Sequence, residues 1–319
     1  LASESVLLTR NLNGIPDFTF DDRRFGSDLA AIGDVDGDGV SDLAVTIAYG
    51  GLPYAWIVLL NEDGTSKSGI RLGEGENGVP TGSDWYFYAR YVAPAGDVNG
   101  DGTPDVLFWN READGDTGCI YVAMFNPDGT VKEAVRLANG ENGLPVDALD
   151  IGAGTWVEDI AGNVDIDGDG IPDALLADAL AGSDGRVLVL FLNSDGTVRN
   201  MVKLTSQQNG IPELPGPSGD AFGSCIALPG DINGDGVPDL AVGADGNRED
   251  GENVGAIWVL LMNADGTAQS AIELADGLNG VPDPSGYTLP YVGGSGSSAY
   301  FTSVLDSPGD LDGNGVPDL

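Results

Sequence analysis

Five copies of one acidic stretch, strung along the chain at similar intervals, constrain the fold more than any other feature. "DVDGDGVSD" starts at Asp34, "DVNGDGTPD" at Asp97, "DIDGDGIPD" at Asp165, "DINGDGVPD" at Asp231 and "DLDGNGVPD" at Asp310, with spacings of 63, 68, 66 and 79 residues. Two quieter signals keep step with it. "NxDGT" occurs at Asn61, Asn126, Asn193 and Asn263, and "NGxP" at Asn13, Asn77, Asn142, Asn209 and Asn279. In all four repeats that hold both, 16 residues separate the first from the second. A chain ruled in this way is an array of like units, each of which buries its apolar face only against its neighbours.

Each unit breaks into four short apolar runs. Before the acidic loop come "FGSDLAAIG" from Phe25 and "FGSCIALPG" from Phe222, with counterparts that begin at Tyr88, Trp156 and Phe301. After it come "DLAVTIA", "DVLFW", "DALLA" and "DLAVGA", then near-continuous apolar runs such as "CIYVAMF" and "RVLVLFL", then "GIRL", "AVRL", "MVKL" and "AIEL". Short β-branched and aromatic runs divided by Asn-Gly and Asp-Gly signals are strands joined by hairpins. A helical repeat would need apolar spacing of three and four over at least ten residues, and no such stretch occurs. The expected fold is all-β, a β-propeller of four-stranded antiparallel blades, with the third strand sandwiched between neighbouring blades. Residues 25-80, 88-145, 156-212 and 222-282 would be complete blades of a single region spanning 1-319, with 1-20 the end of one blade and 301-319 the start of another. Together the two ends lack a middle pair of strands, to be supplied by the rest of a longer chain or by another chain.

Oxygen atoms at alternate loop positions, with glycine permitting the turn between them, suit one hard cation the size of Ca2+. In the first copy the ligands would be Asp34, Asp36, Asp38, the main-chain carbonyl of Val40, and Asp42. The second copy would use Asp97, Asn99, Asp101, Thr103 and Asp105, and the third Asp165, Asp167, Asp169, Ile171 and Asp173. The fourth would use Asp231, Asn233, Asp235, Val237 and Asp239, and the fifth Asp310, Asp312, Asn314, Val316 and Asp318, the seventh position always through its carbonyl. One Ca2+ per loop is the expected cofactor. The plain alternative is a solvated acidic turn, but Asn99, Asn233 and Asn314 keep an oxygen while dropping a charge, which suits a ligand better than a charge patch. The loop is not an EF-hand. That motif needs a bidentate acid at its twelfth position, where this chain has Val45, Phe108, Leu176 or Val242 inside a strand.

Phe25-Gly26, Phe222-Gly223, the five loops of the form DxDxDGxxD, and "DLAVGA" from Asp239 resemble the FG-GAP repeats of the integrin α-subunit β-propeller and its bacterial relatives. The resemblance implies a propeller, usually of seven blades, with Ca2+ held in hairpin loops on its lower face. The chain departs from the pattern where Tyr88-Ala89, Trp156-Val157 and Phe301-Thr302 replace the Phe-Gly pair.

Composition narrows the function. The formal net charge is −38, with 51 acidic against 13 basic residues. Phosphate binding needs basic patches, so no nucleic-acid partner is expected. No apolar run reaches the roughly 18 residues of a spanning helix, so no membrane insertion is expected either. Histidine is absent, which removes the commonest general base and the commonest zinc ligand. Paired carboxylates alone would permit a glycosidase, yet nearly every clustered acid already has a metal role, and the chain reads as non-catalytic. Cys119 and Cys225 read as small buried hydrophobes, with one disulfide as the alternative.

Loop length varies only in the two connections placed opposite the acidic loops, the usual pattern of a binding face. Asn247 to Gly255 and Pro284 to Tyr300 are the candidate contact segments, the second equally readable as a spacer, and Trp85 or Tyr287 would stack on a sugar if exposed. Metal sites with a Kd of about 10⁻⁴ M fill at millimolar Ca2+ and stay empty at cytosolic levels, which favours an extracellular location, secreted or cell-surface. The function expected is a calcium-stabilised adhesion, binding or structural module that takes a protein or glycan ligand. The alternatives are a subunit of an extracellular filament or coat that self-associates through unpaired strands, and the non-catalytic propeller region of a secreted hydrolase.

Overall fold

A computed structural model describes residues 6–8, 13, 25–47, 54–81, 89–110, 118–149, 157–179, 185–214, 221–245, 248–249, 252–253, 255–275, 278–280, 305–307, 309–310, 313 and 315–316. Every named element among them is a strand. The first sheet is β1 (Phe25–Gly33), β2 (Asp42–Ile47), β3 (Ala55–Leu60) and β4 (Ser66–Leu72). The second is β5 (Ala89–Gly96), β6 (Asp105–Asn110), β7 (Cys119–Phe125) and β8 (Val131–Leu137). The third is β9 (Asp159–Val164), β10 (Asp173–Asp178), β11 (Arg186–Leu192) and β12 (Val198–Leu204). In the fourth, β13 (Phe222–Gly230), β14 (Asp239–Ala244), β17 (Ala256–Met262) and β18 (Ala268–Leu274) pair in that order. A two-stranded ribbon, β15 (Arg248–Glu249) with β16 (Glu252–Asn253), lies in the connection between β14 and β17. All four large sheets are antiparallel meanders, consistent with propeller blades.

The third strands are buried on both faces, β7 and β11 along their whole length. So are the second strands β6, β10 and β14, although only their short "DxL" and "DLAV" runs announce it. First and fourth strands are mixed, as in β4 and β12. Two local features explain the residues at the strand ends. In β1 and β13 the register slips after Phe25 and after Phe222, and the glycine that follows each has a positive φ of 82° at Gly26 and 95° at Gly223. A bulge of this kind calls for glycine. The "NxDGT" turn closes the last hairpin. Asp63 Oδ1 accepts from Thr65 N–H and Oγ1 at 2.9 and 2.6 Å, and Asn61 Nδ2 donates to Thr65 Oγ1 at 3.0 Å. The same three bonds recur at Asn126, Asn193 and Asn263.

The chain divides into two compact units. One comprises Leu1–Asp150, Ile171–Ala174 and Leu190–Asn200, and the other Ile151–Gly170, Leu175–Val189 and Met201–Leu319. In the first, β1 and β2 pack against β5 over a core that includes Ile32, Ala44, Ile57, Phe108, Tyr121 and Phe125. In the second, β9 packs against β13. Cys119 and Cys225 are both buried, and neither is in a disulfide.

The "NGxP" turn joins one sheet to the next. Its asparagine has φ between 48° and 51° at all five copies, and its Nδ2 donates to the carbonyl six residues back, as from Asn77 to Arg71 at 2.8 Å. The asparagine carbonyl then accepts from the start of the fourth strand of the following sheet: Asn13 from Ser66, Asn77 from Val131, Asn142 from Val198 and Asn209 from Ala268, at 2.8 to 2.9 Å. The next residue must be glycine, because a Cβ on Gly78, Gly143 or Gly210 would lie 1.8 to 1.9 Å from a carbonyl oxygen of that strand.

Candidate metal centre

Each of the first four acidic loops connects the first strand of a sheet to its second, and its first aspartate shapes the turn. Asp34 accepts from Asp38 N–H at 3.0 Å and from Gly39 N–H at 2.7 Å. Asp97, Asp165 and Asp231 accept from the corresponding fifth- and sixth-position N–H groups. Asp310 accepts from Gly313 and Gly315 N–H, both at 2.7 Å. The turn is therefore an Asx-type cradle. Third-position oxygens of Asn99, Asp167 and Asn233 accept from the fifth-position N–H, and the fifth-position carboxylates of Asp38, Asp101 and Asp235 accept from the seventh.

The ninth position is the buried one. Asp42, Asp105 and Asp239 are fully buried and Asp173 nearly so. Asp42 Oδ2 accepts from Val35 N–H and Oδ1 from Leu60 N–H, both at 2.9 Å, which ties the loop and the third strand to the second. Asp105 does the same with Val98 and Phe125, and Asp239 with Ile232 and Met262. Burial pushes the carboxyls of Asp42, Asp105 and Asp239 upward, Asp105 to about 7, because main-chain N–H bonds do not replace the lost hydration and the loop's other acids add repulsion.

Asp34, Asp36 and Asp42 bring ligand oxygens within 4.8 Å of one another, and so do Asp165, Asp167 and Asp173. Either triad could hold a metal ion. In the second and fourth loops Asn99 and Asn233 take the middle place with an amide oxygen. Asp312, Asn314 and Asp318 lie outside the described residues, as do Trp85, Tyr287 and the segment 284–300.

Two residues missed by the sequence reading reach into these loops. Lys67 Nζ lies 2.6 Å from Asp36 Oδ2 and also bonds Asp38, and Lys132 Nζ lies 2.7 Å from Asp101 Oδ2. Their ammonium groups hold Asp38 and Asp101 below the usual carboxylate range. Aligning the repeats would have revealed the pair, since each lysine stands six residues after the "NxDGT" asparagine. Two further acids went unremarked: Asp28 accepts from Val92 N–H at 2.8 Å and Asp159 from Ile226 N–H at 2.9 Å, each tying a first strand to the next sheet.

Residues 165–242 match the FG-GAP-like repeat and residues 226–260 the FG-GAP repeat. Integrin alpha-PS5 of Drosophila melanogaster is 32% identical over 161 residues, 49% of this chain and 14% of that protein. Integrin alpha-5 of Xenopus laevis is 26% identical over 238 residues, 72% of this chain and 20% of that protein. Among solved structures, the exotype rhamnogalacturonan lyase YesX is similar at a TM-score of 0.37 and 13% identity, covering 76% of this chain and 46% of that one. The chain thus spans only 14 to 20% of the length of these integrin relatives. It carries FG-GAP repeats and is distantly related to integrin α subunits.

Proposed function

We propose that this chain of FG-GAP repeats is an extracellular calcium-stabilised module that binds a protein or glycan, or serves as structure, and carries no chemistry of its own. One observation supports the metal above the rest. Asp36 Oδ1 is buried and makes no hydrogen bond, inside the triad it forms with Asp34 and Asp42. A buried carboxylate oxygen without a partner is costly, and a divalent cation among the three carboxylates removes the cost. All-oxygen donors at flexible spacing suit Ca2+ better than a softer or smaller ion. Asp34, Asp36 and Asp42, with Asp38 and the Val40 carbonyl, would hold it, and the other loops would hold theirs through the corresponding residues.

The metal's work is structural. At millimolar Ca2+ and a Kd of about 10⁻⁴ M a loop gains about 1.4 kcal/mol, and five loops together approach the net stability of an ordinary domain. Because sites this weak would be empty at cytosolic Ca2+ levels, the reading includes a location outside the cell. The ligand would engage the connections opposite the metal loops, among them the one between β14 and β17 that holds β15 and β16.

A self-associating subunit is the second reading. Leu29 in β1 is 61% exposed, whereas its counterparts Val92, Ile160 and Ile226 are 5 to 6% exposed. An uncovered apolar first strand is a surface for another sheet. Thermal unfolding in millimolar Ca2+ and in excess chelator, with particle mass recorded, tests both readings. A large loss of stability on chelation supports the structural metal, and an unchanged melt overturns it. A monomer at every concentration removes the second reading.

A further inference from the structure

We propose that Lys67 and Lys132 are tethered counter-cations of the first and second loops, so that Ca2+ must displace their ammonium groups and fills those loops after the fourth. The inference rests on the calcium reading above. Lys67 is the second residue of β4 and Lys132 the second residue of β8, and the same place is held by Arg199 in β12 and Gln269 in β18. The fourth strand starts at the end of the sheet where the acidic loop lies, so a long basic side chain there reaches the loop of its own sheet. Lys67 Nζ bonds the third- and fifth-position carboxylates, Asp36 and Asp38, and Lys132 Nζ bonds the fifth, Asp101. These are carboxylates that a cation in the loop would use, and Asp36 offers it the oxygen the lysine leaves unpaired.

An ammonium and a divalent ion sharing one carboxylate repel each other, and the repulsion falls on the binding of whichever arrives second. The lysine is always present, so the penalty is on the metal. In the fourth loop the corresponding residue is neutral, and Asp235 Oδ2 accepts instead from Asn233 Nδ2 at 2.9 Å within the loop. Arg199 stands at the third loop's position with its guanidinium 5.9 Å over the Phe191 ring. The arrangement stabilises two loops when calcium is scarce and makes filling graded when it rises.

The test is calorimetric titration of CaCl2 into the unaltered chain, a Lys67→Gln/Lys132→Gln double variant and a Gln269→Lys variant, with thermal unfolding of each in excess chelator. The double variant is expected to tighten the weakest sites about 3- to 10-fold, and Gln269→Lys to weaken one of the tighter sites by a similar factor. In chelator the double variant should melt below the unaltered chain, and in saturating calcium that deficit should close or reverse. Unchanged or weaker calcium affinity in the double variant would overturn the proposal while leaving the metal sites standing. No binding heat in the unaltered chain would overturn both.

Discussion

Third- and ninth-position aspartates look alike in sequence and do different work. Asp105 is fully buried, and both its oxygens accept from main-chain N–H groups of Val98 and Phe125. Asp36 leaves one oxygen unpaired. Asp105→Asn would turn an NH2 group toward an N–H donor, and it is expected to cost about 1–3 kcal/mol whether or not calcium is present. Asp36→Asn keeps an acceptor toward Lys67 and removes a charge from a crowded loop. In chelator it should unfold within about 0.5 kcal/mol of the unaltered chain, and in calcium it should lose most of one loop's contribution. Urea unfolding of both variants in the two buffers checks the contrast. Equal losses in chelator would mean that the two positions are interchangeable after all.

At the scale of an element, the "NGxP" elbow decides how one sheet is fastened to the next. Gly143 has φ +87° and a Cβ there would fall 1.9 Å from the Val198 carbonyl oxygen, whereas Gly37 has φ +74° and nothing within 4 Å. Gly143→Ala is therefore expected to cost about 3 kcal/mol or more, and Gly37→Ala only the backbone strain of about 1 kcal/mol. Chemical denaturation separates them, and similar losses would remove the elbow's special role. The four strands of each sheet, their antiparallel pairing and the hairpin turns were legible, because short apolar runs and Asp-Gly turns are local signals, whereas the β15–β16 ribbon was not. The constant 16-residue interval was legible as a constraint, but its cause was not, since the partner of Asn142 is Val198 in the following repeat. Asp28 and Asp159 were invisible for the same reason. A carboxylate that clamps an N–H some 64 or 67 residues away looks like any surface acid in one dimension. In the loops, residue types pointed to a cation, while the lysines answering the charge stood on the far strand of the sheet.

Over the whole molecule, 51 acidic residues oppose 13 basic ones, and two kinds of repulsion follow. One acts between loops and surface acids many ångströms apart, and the other inside a loop, where carboxylate oxygens lie within 4.8 Å of one another. Salt treats them differently. The screening length falls from about 10 Å at 0.1 M to about 3 Å at 1 M, so added NaCl quenches the first kind and only partly the second. A divalent ion seated among the oxygens acts on the second directly. The melting temperature of the chelated chain should therefore rise between about 0.1 and 1 M NaCl, yet stay below that reached in millimolar CaCl2 at low salt. Full recovery by NaCl alone would make the five loops ordinary charge patches, since diffuse counter-ions would then do all that a coordinated one does. Partial recovery, with the remainder restored only by calcium, is what coordination by Asp34, Asp36, Asp42 and their counterparts requires, and the share left unrecovered measures how much of the stability resides in the loops.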